Sequence, residues 1–186
     1  MGKLILITGG ARSGKSVFAE SIAVKSGKKV LYVATALPTD VEMQARIDKH
    51  RQRRPQEWDT FEGYQDLKRI FHSGQGNYDL ILLDCVTVMI SNLIYDLTGA
   101  ALDQMSAADL ELIEKKISLE IKEFIDEAVA RQVTLIMVTN EVGYGIVPNY
   151  PLARFFRDVA GRINQLIAFR ANEVYLTVCG LPMKIK

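Results

Sequence analysis

Residues 4–16 read Leu-Ile-Leu-Ile-Thr-Gly-Gly-Ala-Arg-Ser-Gly-Lys-Ser, an apolar run that breaks into G-x-x-x-x-G-K-S. No other stretch limits the fold of this chain as strongly. Leu4 to Thr8 ends in glycines and reads as a buried strand. Ser16 to Ser26 reads as a helix, with Phe18, Ile22 and Ala23 on one face and Gly27 as its stop. Strand, glycine loop and helix in that order form a P-loop, in which backbone N–H groups turn inward around phosphate oxygens. The helix directs its positive end at the same anion. A side chain reaching the β- and γ-phosphates is then supplied by Lys15, and a hydroxyl for Mg²⁺ by Ser16. Gly9, Gly10, Ala11, Arg12, Ser13, Gly14, Lys15 and Ser16 are therefore the expected triphosphate-binding residues, Lys15 being catalytic. The alternative is a glycine-rich turn that only joins strand to helix, and the strand–loop–helix context weighs against it.

Downstream, strands alternate with helices. Lys29 to Thr35 is an apolar, β-branched strand. Thr39 and Glu42 form a capping-box pattern that predicts a helix from about Asp40 to Arg51, closed by Pro55. A short strand is expected over Trp58 to Glu62 and a short helix over Tyr64 to His72. A polar turn from His72 to Asn77 leads into Asp79 to Asp84, apolar on both faces like a central parallel strand. Val86 to Leu97 is helical, and the chain is looser around Gly99. Ser106 and Asp109 cap a long helix to about Gln132. Val133 to Thr139 is a further buried strand, Asn140 to Tyr150 a loop, and Pro151 opens a helix to about Ala171. A hairpin is expected from Val174 to Val178 and Met183 to Ile185, around Gly180. This alternation predicts one α/β domain over residues 1–186, a mostly parallel sheet with helices on both faces.

Asp84 closes an apolar strand, where a Walker-B carboxylate holds Mg²⁺ or accepts a proton from an alcohol under phosphorylation. A carboxylate that caps the next helix is the competing reading. Ligands gather at the carboxyl ends of parallel strands, which favours the functional one.

The chain has two histidines. His50 lies four residues after Arg46 on the same helical face, with Arg51, Arg53 and Arg54 close behind. Two readings stand from spacing alone. One is a solvated basic helix end, suited to the dipole. The other is an anion site in which a neutral, nucleophilic imidazole faces a polyphosphate whose charge the arginines offset. His72, before a turn, reads as a surface or capping residue.

The formal net charge of +1 supplies no global field toward nucleic acid or anionic membrane. Cys85 and Cys179 lack metal-ligand spacing and suit a reducing compartment. The apolar run after Met1-Gly2-Lys3 is too short for a signal peptide, and no stretch approaches the roughly 20 apolar residues of a membrane span. The expected compartment is the cytoplasm.

An ordered set of residues spanning nearly the whole chain resembles the bifunctional adenosylcobinamide kinase/adenosylcobinamide-phosphate guanylyltransferase family of cobalamin biosynthesis. The set comprises Thr8 to Ser16, Tyr32 to Ala36, Arg46-Ile47, His50, Arg54-Pro55, Trp58, Thr139 to Gly143 and Gly145 to Pro148. Arg157-Asp158, Gly161-Arg162 and Asn164 complete it. The resemblance implies a P-loop NTPase-type (RecA-like) fold with a C-terminal hairpin. It implies that ATP or GTP phosphorylates the aminopropanol hydroxyl of adenosylcobinamide. GMP from GTP then passes, through a guanylyl-histidine, to the adenosylcobinamide phosphate. His50 matches the nucleophile, and Ala34, Thr35, Ala36, Arg51, Gln52, Arg53, Arg54, Glu62 and Asp84 match nucleotide-contacting positions. The P-loop and strand-end patterns make Ser16 and Asp84 the expected Mg²⁺ ligands. Family members often carry Glu where this chain has Asp84. A homotrimer is implied, and neither a nucleic-acid partner nor a membrane span is expected. The loop Asn140 to Pro148 is expected to line the acceptor pocket instead of serving as a plain surface connection.

Two other readings make different expectations. A plain P-loop kinase would form ADP but no covalent nucleotide. A recombinase-like ATPase or nucleic-acid module would use Arg51 to Arg54 on a phosphate backbone. The near-zero net charge and the lack of a basic stripe with interleaved aromatics oppose it.

Overall fold

The computed structural model describes residues 2–72, 77–99 and 105–186, the side chain of Arg46 excepted. Seven strands form one sheet, β1 (Leu4–Gly9), β2 (Val30–Ala34), β3 (Asp59–Glu62), β4 (Leu80–Asp84), β5 (Thr134–Val138), β6 (Glu173–Val178) and β7 (Leu181–Lys184). Their order is β3-β2-β4-β5-β1-β6-β7. Every neighbouring pair is parallel except β6 with β7, which form the expected hairpin. Strand β5 separates the P-loop strand β1 from the Asp84 strand β4.

Alternation along the strands sends side chains to two cores. Ile5, Ile7, Val30, Tyr32, Leu80, Leu82, Ile136 and Val138 face α1 (Lys15–Ser26) and Trp58. The helix approaches through Ala19 and Ala23, which are fully buried and small. Leu4, Leu6, Leu31, Val33, Ile81, Leu83, Leu135 and Met137 face α3 (Val86–Thr98), α4 (Ala107–Ala130) and α5 (Pro151–Arg170). Phe124, at 0 % exposure, lies at the centre of this second core with its ring 5.7 Å from that of Phe71. Phe124→Ala removes a large side chain from a site that cannot collapse freely, and is expected to cost about 3–5 kcal/mol. Urea unfolding should show a lower midpoint with an unchanged slope. A loss below about 1 kcal/mol would contradict this packing.

The long helix carries its expected capping box, with both the Ser106 and Asp109 bonds formed. The helix bearing His50, α2 (Val41–Arg53), is capped differently from expectation. Asp40, not Thr39, is its N-cap: the backbone of Asp40 is extended and its carboxylate accepts the Met43 N–H at 2.7 Å. An aspartate one residue closer to the first turn displaces the threonine from that role. The helix also runs two residues beyond Arg51. It ends when Arg54 turns extended (φ −71°, ψ 143°), the conformation that Pro55 imposes on its predecessor. The expected helix over Tyr64 to His72 shortens to a 3₁₀ turn, Leu67–Phe71, entered through a left-handed Asp66. Residues 73–76 of the expected polar turn and the stretch just after Gly99 lie outside the described residues.

Candidate active site

The P-loop is shaped by what touches it from behind. Gly9 (φ 149°) would place a Cβ 2.4 Å from the Thr177 carbonyl oxygen, and Gly14 (φ 97°) would place one 3.0 Å from the Gly180 Cα. The turn of the β6–β7 hairpin therefore presses on the loop, and the Gly180 N–H donates to the Ser13 carbonyl at 2.9 Å. Glycine is required at positions 9 and 14 both for backbone angle and for space. The Lys15 ammonium folds back into the loop and donates to the Gly10 carbonyl at 2.5 Å. Burial holds this amine below its ordinary value, partly offset by Cys85 and Asp84. The Lys15 amine is thus within electrostatic reach of the Asp84 carboxylate.

At the end of β4, Asp84 Oδ2 accepts the phenolic O–H of Tyr32 at 2.8 Å. Tyr32 is buried, and burial together with the Asp84 charge raises its phenol well above the ordinary value. The Arg54 guanidinium stacks 3.6 Å from the centre of the Tyr32 ring, and its Nε is buried with no partner among the described residues. The Asp84–Cys85 peptide is cis. Burial pushes the Cys85 thiol up to about 11, so it stays protonated and unreactive. The Thr35 hydroxyl braces this turn by donating to the Cys85 carbonyl at 2.8 Å and accepting its N–H at 2.9 Å. Within the predicted segment Ala34 to Ala36, the Thr35 side chain is therefore directed inward.

The chain leaving β5 closes the other side. Thr8 donates its hydroxyl to Glu141 Oε1 at 2.8 Å, while the Glu141 N–H donates to the Gly9 carbonyl at 3.0 Å. Buried Asn164 on α5 accepts from the Thr139 hydroxyl at 2.7 Å and donates to the Asn140 carbonyl at 3.2 Å. Asn140 in turn donates to the Thr87 hydroxyl at 2.7 Å. These bonds bind the start of the 140–150 loop to the P-loop strand. Beyond them the loop exposes Tyr144, Ile146, Val147 and Tyr150.

The basic end of α2 is neither wholly solvated nor free. Arg51 pairs with Glu62, Arg54 lies on Tyr32, and Arg53 Nη2 donates to Glu20 Oε2 at 2.9 Å. The last pair joins α2 to α1, one turn beyond Ser16. Glu20 is 12 % exposed at its side chain, and its Oε1 is buried without a partner among the described residues. Burial holds the carboxyl above its ordinary range; Arg53 pulls it down, Asp84 adds to the rise and His50 lowers it. His50, half-buried, is thus within electrostatic reach of a carboxylate on the P-loop helix. Glu20 belongs to no motif of the sequence; its position four residues after Ser16 is the one signal that could have found it. His72 is exposed, with Nε2 3.5 Å from Glu127 Oε1, the surface position expected of it. Arg46, expected beside His50, has its side chain outside the described part of the structure.

The family described as "Cobinamide kinase / cobinamide phosphate guanyltransferase" matches residues 5–185. The "Bifunctional adenosylcobalamin biosynthesis protein CobU" of Escherichia coli (strain K12) is 45 % identical over 183 residues, covering 98 % of this chain and 99 % of that one. The protein of the same description from Salmonella typhimurium is 43 % identical over 183 residues, with 98 % and 99 % covered. The "Bifunctional adenosylcobalamin biosynthesis protein CobP" of Pseudomonas aeruginosa is 40 % identical over 181 residues, with 97 % and 96 % covered. End-to-end similarity at this level, on a chain whose P-loop, acidic strand end and histidine helix converge, places it in the cobinamide kinase / cobinamide phosphate guanyltransferase family.

Proposed function

We propose that this chain phosphorylates the aminopropanol hydroxyl of adenosylcobinamide with ATP or GTP. It then transfers GMP from GTP, through a guanylyl group on His50, to the new phosphate. The products are adenosylcobinamide-GDP and pyrophosphate. The observation that carries the two-reaction reading is the docking of the histidine helix on the P-loop helix through Arg53 and Glu20. A kinase that transfers phosphate directly has no use for a histidine held there.

In the first reaction the P-loop N–H groups and Lys15 hold the donor phosphates, and Lys15 exchanges its loop carbonyl for phosphate oxygen. Asp84 accepts the proton leaving the alcohol, its carboxylate oriented by the Tyr32 hydroxyl. A hard, hydrated cation suits the donor set of one hydroxyl and one carboxylate supplied by Ser16 and Asp84. Among the described residues no cluster of three or more His, Cys, Asp or Glu forms a closed protein cage for a metal. Ser16 and Asp84 would hold Mg²⁺, which when bound neutralises charge on the β- and γ-phosphate oxygens. In the second reaction the unpartnered Arg54 Nε is available to a phosphate oxygen. The exposed apolar loop after Glu141 is proposed to receive the corrinoid, and Gln52 and Ala36 to flank the nucleotide. The proposed working unit is a cytoplasmic homotrimer without a nucleic-acid partner. The net charge of +1 supports the last point, and no described helix is long and apolar enough to cross a membrane.

The experiment is a time course of products from adenosylcobinamide, ATP and GTP, followed by mass spectrometry in wild type and Asp84 variants. Wild type should pass through adenosylcobinamide phosphate to adenosylcobinamide-GDP. Asp84→Asn should slow the first product by about 10²-fold or more, since an amide is a poor Mg²⁺ ligand and cannot take the proton. Asp84→Glu should recover part of the rate. A wild type that stops at the phosphate would leave only the kinase, and an Asp84→Asn variant at full rate would remove Asp84 from the chemistry. Capping is not its alternative, because Cys85 is the N-cap of α3 and makes no side-chain cap bond.

A further inference from the structure

We infer that Glu20 is the positioning residue for the His50 imidazole: in the nucleotide-bound enzyme its buried Oε1, unpartnered among the described residues of this structure, takes the Nδ1–H of His50, so that Nε2 presents its lone pair to phosphorus. The inference rests on the proposed role of His50.

Glu20 has two carboxylate oxygens in different circumstances. Oε2 accepts from Arg53, while Oε1 is buried with no donor among the described residues. A buried, unmatched carboxylate oxygen is unfavourable in a folded protein, and its presence at a site calls for a group that completes it. Arg53 and His50 are three residues apart on α2 and share a face, so the helix that brings the guanidinium to Glu20 carries the imidazole on the same side, within electrostatic reach of that carboxylate. Other carboxylates on or facing α2 and the strand ends are engaged otherwise: Asp84 Oδ2 takes the Tyr32 hydroxyl, Glu62 pairs with Arg51, and Asp48 accepts from Gln44. Burial gives the Glu20 charge a field that water screens only weakly.

The chemistry uses both the proton and the charge. With Nδ1 protonated toward Glu20, the Nε2 lone pair forms the N–P bond to the α-phosphorus of GTP. The bond from that phosphorus to the bridging oxygen breaks, and its electron pair leaves on pyrophosphate. The ring then carries a positive charge, which the Glu20 carboxylate stabilises. In the return step an oxygen of adenosylcobinamide phosphate attacks the same phosphorus, the N–P bond breaks and the imidazole regains its lone pair. Glu20 stays deprotonated throughout.

Because the chain has only two histidines, protein labelled with ¹⁵N-histidine reports the His50 tautomer directly, with His72→Ala for assignment. In spectra taken with a non-hydrolysable GTP analogue bound, neutral His50 is expected as the Nδ1–H tautomer in wild type and to lose that preference in Glu20→Ala. Arg53→Ala removes the ion pair but not the acceptor, and should keep the tautomer. Glu20→Gln, which preserves shape and removes charge, should slow GMP incorporation from α-labelled GTP at least about tenfold more than it slows alcohol phosphorylation. Circular dichroism confirms that each variant is folded. An Nε2–H tautomer in wild type, or Glu20→Gln labelled at the wild-type rate while His50→Ala is unlabelled, overturns the role of Glu20 and leaves His50 in place. Label retained in His50→Ala overturns both.

Discussion

Lys15→Ala is expected to lower phosphorylation of adenosylcobinamide by at least about 10²–10³-fold while leaving the protein folded. The two halves of this expectation have different origins. The ammonium lies at the base of the P-loop, 2.5 Å from the Gly10 carbonyl, where a transferred phosphoryl group develops charge. Alanine supplies nothing there, and water in the loop is a weaker, less ordered substitute. Stability should not follow activity downward. Burial already works against the charged amine, so removing it relieves a desolvation penalty as well as a hydrogen bond. Phosphoryl-transfer rates beside a urea melt would separate these effects. Near-normal turnover in a folded Lys15→Ala protein would remove the P-loop from the mechanism. Loss of activity together with the fold would show instead that the amine is a structural element.

The parts of the fold and site that could be read from the sequence depend on local chemistry. The Gly9 to Ser16 loop, the Ser106–Asp109 cap and Pro151 at a helix start each carry their instruction within a few residues. Asp84 was legible because a carboxylate that ends a doubly apolar run sits where a parallel sheet presents its ligand-binding edge. Thr39 misled because two adjacent residues could both cap, and only the backbone angle of Asp40 decides between them.

The arginine run was harder. A solvated helix end and a phosphate grip share one pattern, yet three of its side chains are drawn to Glu62, Glu20 and Tyr32. Those partners lie on other elements, and nothing in a linear pattern marks them. Glu20 was hidden for the same reason. Reading α1 by its apolar face emphasises Phe18, Ile22 and Ala23. The buried stripe is Lys15, Ala19 and Ala23, with Glu20 at its edge. The bracing of the P-loop by the C-terminal turn at Gly180 is likewise a contact between distant segments, visible only once the hairpin is placed beside β1.

The largest expected effect concerns His50. A histidine nucleophile requires a neutral ring, an in-line approach to the α-phosphorus and stabilisation of the departing pyrophosphate. The Arg53–Glu20 pair holds the helix of His50 on the P-loop helix, which serves the second under the proposed function, and the Arg54 Nε and Lys15 ammonium serve the third. His50→Ala should therefore abolish guanylyl transfer entirely, whereas alcohol phosphorylation, which needs no relay, should persist. His72 offers an internal control because it lies on the surface against Glu127.

The most direct measurement incubates wild type, His50→Ala and His72→Ala with α-labelled GTP, resolves the proteins by denaturing electrophoresis, and treats the labelled band with acid and with base. Label is predicted on wild type and His72→Ala, none on His50→Ala, and the adduct should be lost in acid and survive base, as a phosphoramidate does. Label retained by His50→Ala, or an adduct stable to acid, would contradict the guanylyl-histidine.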